Sequence, residues 1–106
     1  MVDAQALARN EALFREVNER IAELTEANAA GGGDAVSFVC ECSSLECGGV
    51  VALTLDEYAA VRARPRVFAV VPGHERLDVE RVVEEGRGYF VVEKLGEAGE
   101  AAEALA

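Results

Sequence analysis

The chain has 106 residues, of which 51% are apolar and 28% are charged, a composition that fits one soluble globular domain. Acidic residues outnumber basic residues 20 to 10, and the resulting net charge of −10 argues against nucleic acid or an anionic membrane surface as a partner. No apolar run approaches the roughly 18 residues that a membrane span needs. The first nine residues lack the basic region and the apolar core of a secretory signal, so we expect none here. We therefore expect a cytoplasmic protein.

An amphipathic helix over 1–30 is the first predicted element. Its apolar residues repeat every seven positions, with further apolar residues three positions on, as in a short coiled coil. This stripe predicts either docking on the chain's own domain or contact with a protein partner or a second copy. The side chains predicted to bind that partner are Leu7, Phe14, Val17, Ile21 and Leu24. A glycine-rich linker over 31–35 follows and predicts a hinge.

The segment 36–94 is predicted to form a small α+β domain of about four short strands and two short helices. The residues at 95–106 are mostly Ala, Gly and Glu, and we expect them to form a solvated acidic tail that is either disordered or a weak helix. Local patterns predict the elements within the domain. Strands at 36–39 and 50–53 form a hairpin, and a capping box of Thr54 and Glu57 begins a helix. These are followed by a buried strand at 67–71, a turn at Pro72 and Gly73, a helix at 78–85 and a last strand at 89–93.

Three cysteines lie close together as C-x-C-x4-C, at Cys40, Cys42 and Cys47. Residues i and i+2 of an extended chain point to the same face, so the first two thiols converge, and the turn that follows returns the third. Structural zinc sites take four ligands, and three cysteines with one histidine are a common set. His74 is the single histidine and directly follows the predicted Pro-Gly turn. The sequence therefore predicts a structural Zn²⁺ site of Cys40, Cys42, Cys47 and His74.

The fourth position has alternatives to His74. Glu41, Glu46 or Glu75 could supply a carboxylate ligand, and a water molecule could also fill the position. A water would leave an open site, which is the arrangement of a catalytic zinc and would indicate a small hydrolase.

The metal and the role of the thiols also have alternatives. The CDGSH family holds a 2Fe–2S cluster with three cysteines and one histidine, in a motif that begins with C-x-C. Here Cys47 is followed by Gly48 and Gly49 in place of that family's Asp-Gly. Oxidation to a Cys40–Cys47 or Cys42–Cys47 disulfide would expel zinc, as in a redox sensor. Without a metal, the three thiols would be ordinary core residues.

Five short blocks of sequence contain or surround these motifs: FREVNERI at 14–21, FVCEC at 38–42, LTLDEY at 53–58, PGHE at 72–75 and VVEK at 91–94. In these blocks the chain resembles a group of short, uncharacterised actinobacterial proteins, from about Asn10 to Lys94. The resemblance implies no activity. It does imply that C-E-C, the third cysteine and P-G-H belong to one site.

These observations together predict a small protein that is not an enzyme. A chain with six aromatic residues and no Trp has little core, and the free energy of zinc binding would add to the free energy of folding. We expect the N-terminal helix to recruit the protein partner or the second copy.

Overall fold

The computed structural model describes residues 4–28 and 33–106. The fold class is confirmed: a long N-terminal helix is followed by small antiparallel sheets and two short helices. The two ends of the predicted helix, at 1–3 and 29–30, and the first two residues of the predicted 31–35 hinge lie outside the described residues. Within the described part the elements are α1 (Ala4–Asn28), β1 (Val36–Val39), β2 (Val50–Leu53), α2 (Leu55–Arg62), β3 (Val67–Val70), β4 (Glu80–Glu85), β5 (Phe90–Lys94) and α3 (Gly96–Ala104).

The five strands form two sheets. β1 and β2 make the predicted hairpin, with Val36 opposite Leu53 and Val39 opposite Val50. The second sheet is antiparallel and has the order β3-β5-β4, so β5 is its central strand. All four residues of β3 are buried, as its continuous apolar sequence predicts.

Helix α2 joins the two sheets and begins as predicted. The Thr54 side chain accepts from the amide of Glu57, and the Glu57 carboxylate accepts from the amide of Thr54. Tyr58 and Val61 face inward and are buried. The ring of Tyr58 stacks on Phe38 of β1 at a centroid distance of 4.4 Å, so α2 and the hairpin share one core.

The prediction of a helix at 78–85 is wrong, because Glu80–Glu85 form strand β4. The spacing of the valines there suits a helix, but β-branched residues also favour strands, and pairing with β5 decides between the two. Val82 lies opposite Val92, and a bulge between Val82 and Glu84 shifts the register. Glu80 lies opposite Lys94, and both side chains are buried.

Most of the segment 95–106 is helical, which is one of the two expected forms, but the helix is partly buried and is not a solvated tail. Gly96–Ala104 form helix α3, which packs against α1 and β5. Small side chains let α3 approach closely: a Cβ on Gly99 would lie 2.8 Å from the carbonyl oxygen of Lys94. The buried face of α3 consists of Ala98, Gly99, Ala101 and Ala102.

Helix α1 lies on the domain with polar side chains against it. Glu11, Arg15 and Asn18 are buried there together with Ala8. Three large apolar side chains of the same helix are largely exposed instead: Leu13 at 50%, Val17 at 41% and Leu24 at 51%. Since a surface helix ordinarily buries its apolar face, specific polar contacts must hold α1 in place.

Candidate metal centre

The four predicted ligands come from three places in the fold. Cys40 and Cys42 directly follow β1, and Cys47 lies in the loop before β2. His74 lies in the turn after β3. The hairpin connection and the β3–β4 connection therefore meet at one end of the molecule.

The geometry brings all four ligands together. The Nδ1 atom of His74 lies 3.7 Å from the Sγ atom of Cys40, 3.9 Å from that of Cys42 and 3.2 Å from that of Cys47. All four ligand atoms lie within 4.8 Å of one another. The predicted set is thus close enough to bind one metal ion.

A tight turn aims the histidine at the thiols. The amide of His74 donates to the carbonyl of Val71 at 2.9 Å, and Gly73 between them has a φ of +98°. A positive φ at this position is what a type II turn after Pro72 requires, and glycine adopts it without strain. The predicted turn is confirmed, and it sets the direction of His74.

Backbone amides surround the sulfur atoms. The amide of Gly49 donates to the Sγ atom of Cys47 at 3.4 Å, and that of Val71 donates to the Sγ atom of Cys40 at 3.2 Å. Cys40 also accepts from the amide of Cys42, and Cys42 accepts from the amide of Ser44. Hydrogen bonds to sulfur favour the thiolate, which is the form that ligates a metal.

Burial acts in the opposite direction on two of the thiols. It raises the pKa of Cys40 to about 12 and raises the pKa of Cys42 above its ordinary value, and the amides only partly offset it. A bound cation reverses this balance, because a coordinating thiol is deprotonated. Metal binding here would release protons and would strengthen as pH rises.

Glu41, between two of the ligands, points away from them into the core. Its side chain is fully buried and accepts hydrogen bonds from Asn18 at 3.0 Å, from the Tyr58 hydroxyl at 2.6 Å and from the amide of Ala69 at 3.0 Å. Burial raises the pKa of Glu41, while Arg15 and these donors lower it. With its carboxylate so engaged, Glu41 is not in position to be the fourth ligand.

The other two carboxylates proposed for the fourth position also lie outside the cluster. The Glu75 carboxylate accepts from the amide of Gly73 at 2.7 Å. Glu46 is exposed and lines a cavity of about 360 Å³ that opens beside the site. The cavity is bordered by three of the ligands and by Leu7, Ser43, Ser44, Glu46 and Arg76. It gives solvent access to the His74 side of the site.

Helix α1 is hydrogen-bonded to residues 39–47, which carry the three cysteines and are called the ligand segment below. Asn18 donates to the carbonyl of Val39 at 2.9 Å and accepts from its amide at 2.8 Å. Asn10 donates to the carbonyl of Ser43 at 2.9 Å. These contacts flank Cys40 and Cys42 on both sides, so the position of α1 depends on the shape of the ligand segment.

The contacts of three polar side chains of α1 with the domain were not predicted from the sequence: those of Asn10, Arg15 and Asn18. The Arg15 guanidinium lies 4.2 Å from the ring centre of Phe68 and 4.0 Å from the Glu41 carboxylate. A stripe of Glu11, Arg15 and Asn18 at helical spacing is visible in the sequence and could have indicated a second, polar docking face.

The side chains predicted to bind a partner fall into two groups. Val17 and Leu24 are largely exposed, whereas Leu7, Phe14 and Ile21 are half-buried at the edge of the domain. Ile21 packs against the main core. Only part of the predicted stripe is therefore open to solvent.

Within residues 4–28 and 33–106, no helix combines the length and the apolar character that crossing a membrane would require. When the chain is compared with known proteins, no protein family, curated protein or solved structure matches it. The site's own chemistry therefore carries the functional argument.

Proposed function

We propose that this chain is a small zinc-binding protein that acts as a protein-interaction or regulatory module and not as an enzyme. The observation that carries the proposal is the convergence of three thiols and one imidazole. Tetrahedral zinc with ordinary bond lengths separates a sulfur and a nitrogen ligand by about 3.6 Å. The distances of 3.2–3.9 Å from His74 to the three cysteines bracket this value.

The donor set favours zinc over other metals. Thiolates and imidazole suit Zn²⁺, whereas Mg²⁺ and Ca²⁺ require oxygen ligands. A 2Fe–2S cluster needs two pairs of ligands, one pair for each iron, while ligand atoms within 4.8 Å of one another favour a single ion. Four protein ligands also fill a tetrahedral zinc, which supports a structural site over a catalytic one.

This proposal is tested by elemental analysis of untagged protein that is produced in cells supplied with both zinc and iron. We expect one zinc per chain and no visible absorption. Cys42→Ser should lower the zinc content, whereas Ser44→Ala, in the same loop, should retain it. Iron with a visible charge-transfer band, or a folded protein without metal, would contradict the zinc site.

A redox-sensing role is the second candidate, and the accessibility of the site favours it. Cys47 is partly exposed and His74 is exposed, so small oxidants can reach that side. Hydrogen peroxide would take two electrons from two thiolates and, with two protons, would give one disulfide and two water molecules while zinc leaves. Zinc release under mild peroxide, measured with a chromophoric chelator, would support this role, and retention of zinc would argue against it.

A further inference from the structure

The outward face of α1 carries a pattern of apolar residues. Leu13, Val17 and Leu24, all at least 41% exposed, line the side of the helix opposite its buried polar face. Their spacing of four and then seven residues matches the two seam positions of a coiled coil, and Arg20 occupies the seam position between Val17 and Leu24. Clustered exposed apolar side chains bordered by charges are typical of an interaction surface.

Charges are unevenly placed around this seam. Glu16 and Glu23 flank it along one edge, and both are exposed. Arg20 lies within the seam and contacts Glu23 at 3.4 Å in an exposed ion pair. Since exposed pairs of this kind contribute little, Arg20 is available to a partner that offers a carboxylate.

These charges disfavour a second copy of the chain as the occupant. In a parallel pair, each seam position faces itself, so Arg20 would lie against Arg20. In an antiparallel pair, Arg20 would lie against Val17, and Glu16 of each copy would lie beside Glu23 of the other along the one edge that these residues line. The net charge of −10 on each chain adds repulsion in either orientation.

We propose that the outward face of α1 binds a helix of another protein with complementary charges. That helix would carry an apolar seam, a carboxylate opposite Arg20, and Lys or Arg opposite Glu16 and Glu23. Opposite charges at these positions would select the partner, and like charges would exclude other helices. This inference rests on the interaction role proposed above and names the chemistry of the partner.

Two synthetic helical peptides of three heptads test the inference. The first has a leucine seam with one central Glu and flanking Lys, and the second has these charges reversed. Each labelled peptide is titrated with the zinc-loaded protein of 106 residues and followed by fluorescence anisotropy. We expect the first peptide to bind at least about tenfold more tightly than the second, and the difference to shrink as salt is raised.

Variants of the protein show whether binding uses this face. The double variant Leu13→Ser with Val17→Ser should abolish binding. Leu77→Ser is the control, because Leu77 is 70% exposed and lies outside α1, and this variant should still bind. Glu16→Lys with Glu23→Lys should weaken binding of the first peptide and strengthen binding of the second. Equal binding of both peptides, no binding of either, or binding that survives the Leu13 and Val17 changes would overturn the inference.

Sedimentation velocity and metal analysis complete the test. A dimer that Leu13→Ser dissociates would overturn the inference, because a second copy would then be the occupant. Zinc is measured in every sample, so the two proposals fail separately. Zinc-loaded protein that binds neither peptide contradicts the partner chemistry alone, and metal-free protein that distinguishes the peptides contradicts the zinc site alone.

Discussion

Two regions hold α1 on the domain, and they use different chemistry. At one, which we call the amide anchor, Asn10 and Asn18 bond to the ligand segment at Ser43, Val39 and Glu41. At the other, the charged anchor, Lys94 is ion-paired to both Glu11 and Glu80, and all three side chains are buried. One anchor relies on hydrogen bonds from two amide side chains, and the other on ion pairs between buried charged side chains.

The difference determines what each anchor responds to. The amide anchor forms hydrogen bonds with the ligand segment, whose shape depends on the proposed metal. Loss of the metal should therefore weaken the amide anchor. The charged anchor has two carboxylates for one ammonium. Burial, offset in part by Lys94, raises the pKa of Glu11 to about 7, so this anchor should respond to pH.

The largest effect should follow removal of the metal. Chelation, or Cys42→Ser, removes the metal cross-link within the ligand segment. The hydrogen bonds of the amide anchor should be lost as a consequence. We expect a loss of at least about 4 kcal/mol in the free energy of unfolding, or about 15–20 °C in Tm. Circular dichroism melts check this, with Ser44→Ala as the control. An unchanged melt would show that the anchor does not need the metal.

Replacing the single lysine breaks the charged anchor. Lys94→Met leaves two buried carboxylates without their cation, which should cost about 3–5 kcal/mol in urea denaturation. Neutralising the cluster as a whole, by adding Glu11→Gln and Glu80→Gln, should recover most of that loss. A triple variant no more stable than Lys94→Met would show that packing, and not unpaired charge, causes the defect.

Removing one side chain of the amide anchor should have an intermediate effect. Asn18→Ala deprives the amide and carbonyl of Val39 and the buried Glu41 carboxylate of one partner each, and it should cost about 2–3 kcal/mol. Asn10→Ala removes one hydrogen bond and should cost about 1 kcal/mol. Urea midpoints check both, and equal losses would contradict the central role of Asn18.

The pH dependence of stability should be gradual, because it is spread over the pH range between the ordinary and the raised pKa of Glu11. The pKa of Glu11 is about 7 in the folded protein against 4.5 as its ordinary value. The folded state therefore holds the Glu11 proton longer, so this group's contribution to stability falls as pH rises from 4.5 to 7.

The slope from Glu11 should reach about 1.4 kcal/mol per pH unit at most. Lys94, Glu80 and Glu41 face this group: Lys94 lowers the pKa of Glu11, and the charges of Glu80 and Glu41 raise it. Subtracting the urea profile of Glu11→Gln from that of the parent isolates the slope. A difference that does not decline with pH over this range would contradict the assignment.

Much of the fold and of the metal cluster could be predicted because the patterns are local. The capping box at Thr54, the Pro-Gly turn before His74 and the C-x-C spacing each depend on neighbouring residues alone. Glu80 is different: its burial in β4 depends on Lys94, which lies opposite it on β5. Sequence periodicity could not anticipate a strand that such pairing decides.

Two further features were missed because polarity is a poor guide to them. α3 is buried through small residues such as Gly99 and Ala101, which allow close approach but look like a solvated tail in composition. α1 is docked through Glu11 and Asn18, whose partners lie on other elements. In both cases the long-range partner, and not the side chain itself, determines what is buried.

The free edge of β3 is closed by groups from the ligand segment and α1. The carbonyl of Ala69 accepts from the amide of Glu41 at 2.8 Å, and the Glu41 carboxylate accepts from the amide of Ala69. Further along the same edge, Arg15 donates to the carbonyl of Val67, and the amide of Val71 donates to the Cys40 sulfur.

An open strand of sequence VFAV at a sheet edge would be a template for intermolecular pairing. By holding the ligand segment across this edge, the metal would also protect the chain from aggregation. Metal-depleted protein should therefore lose solubility through β3.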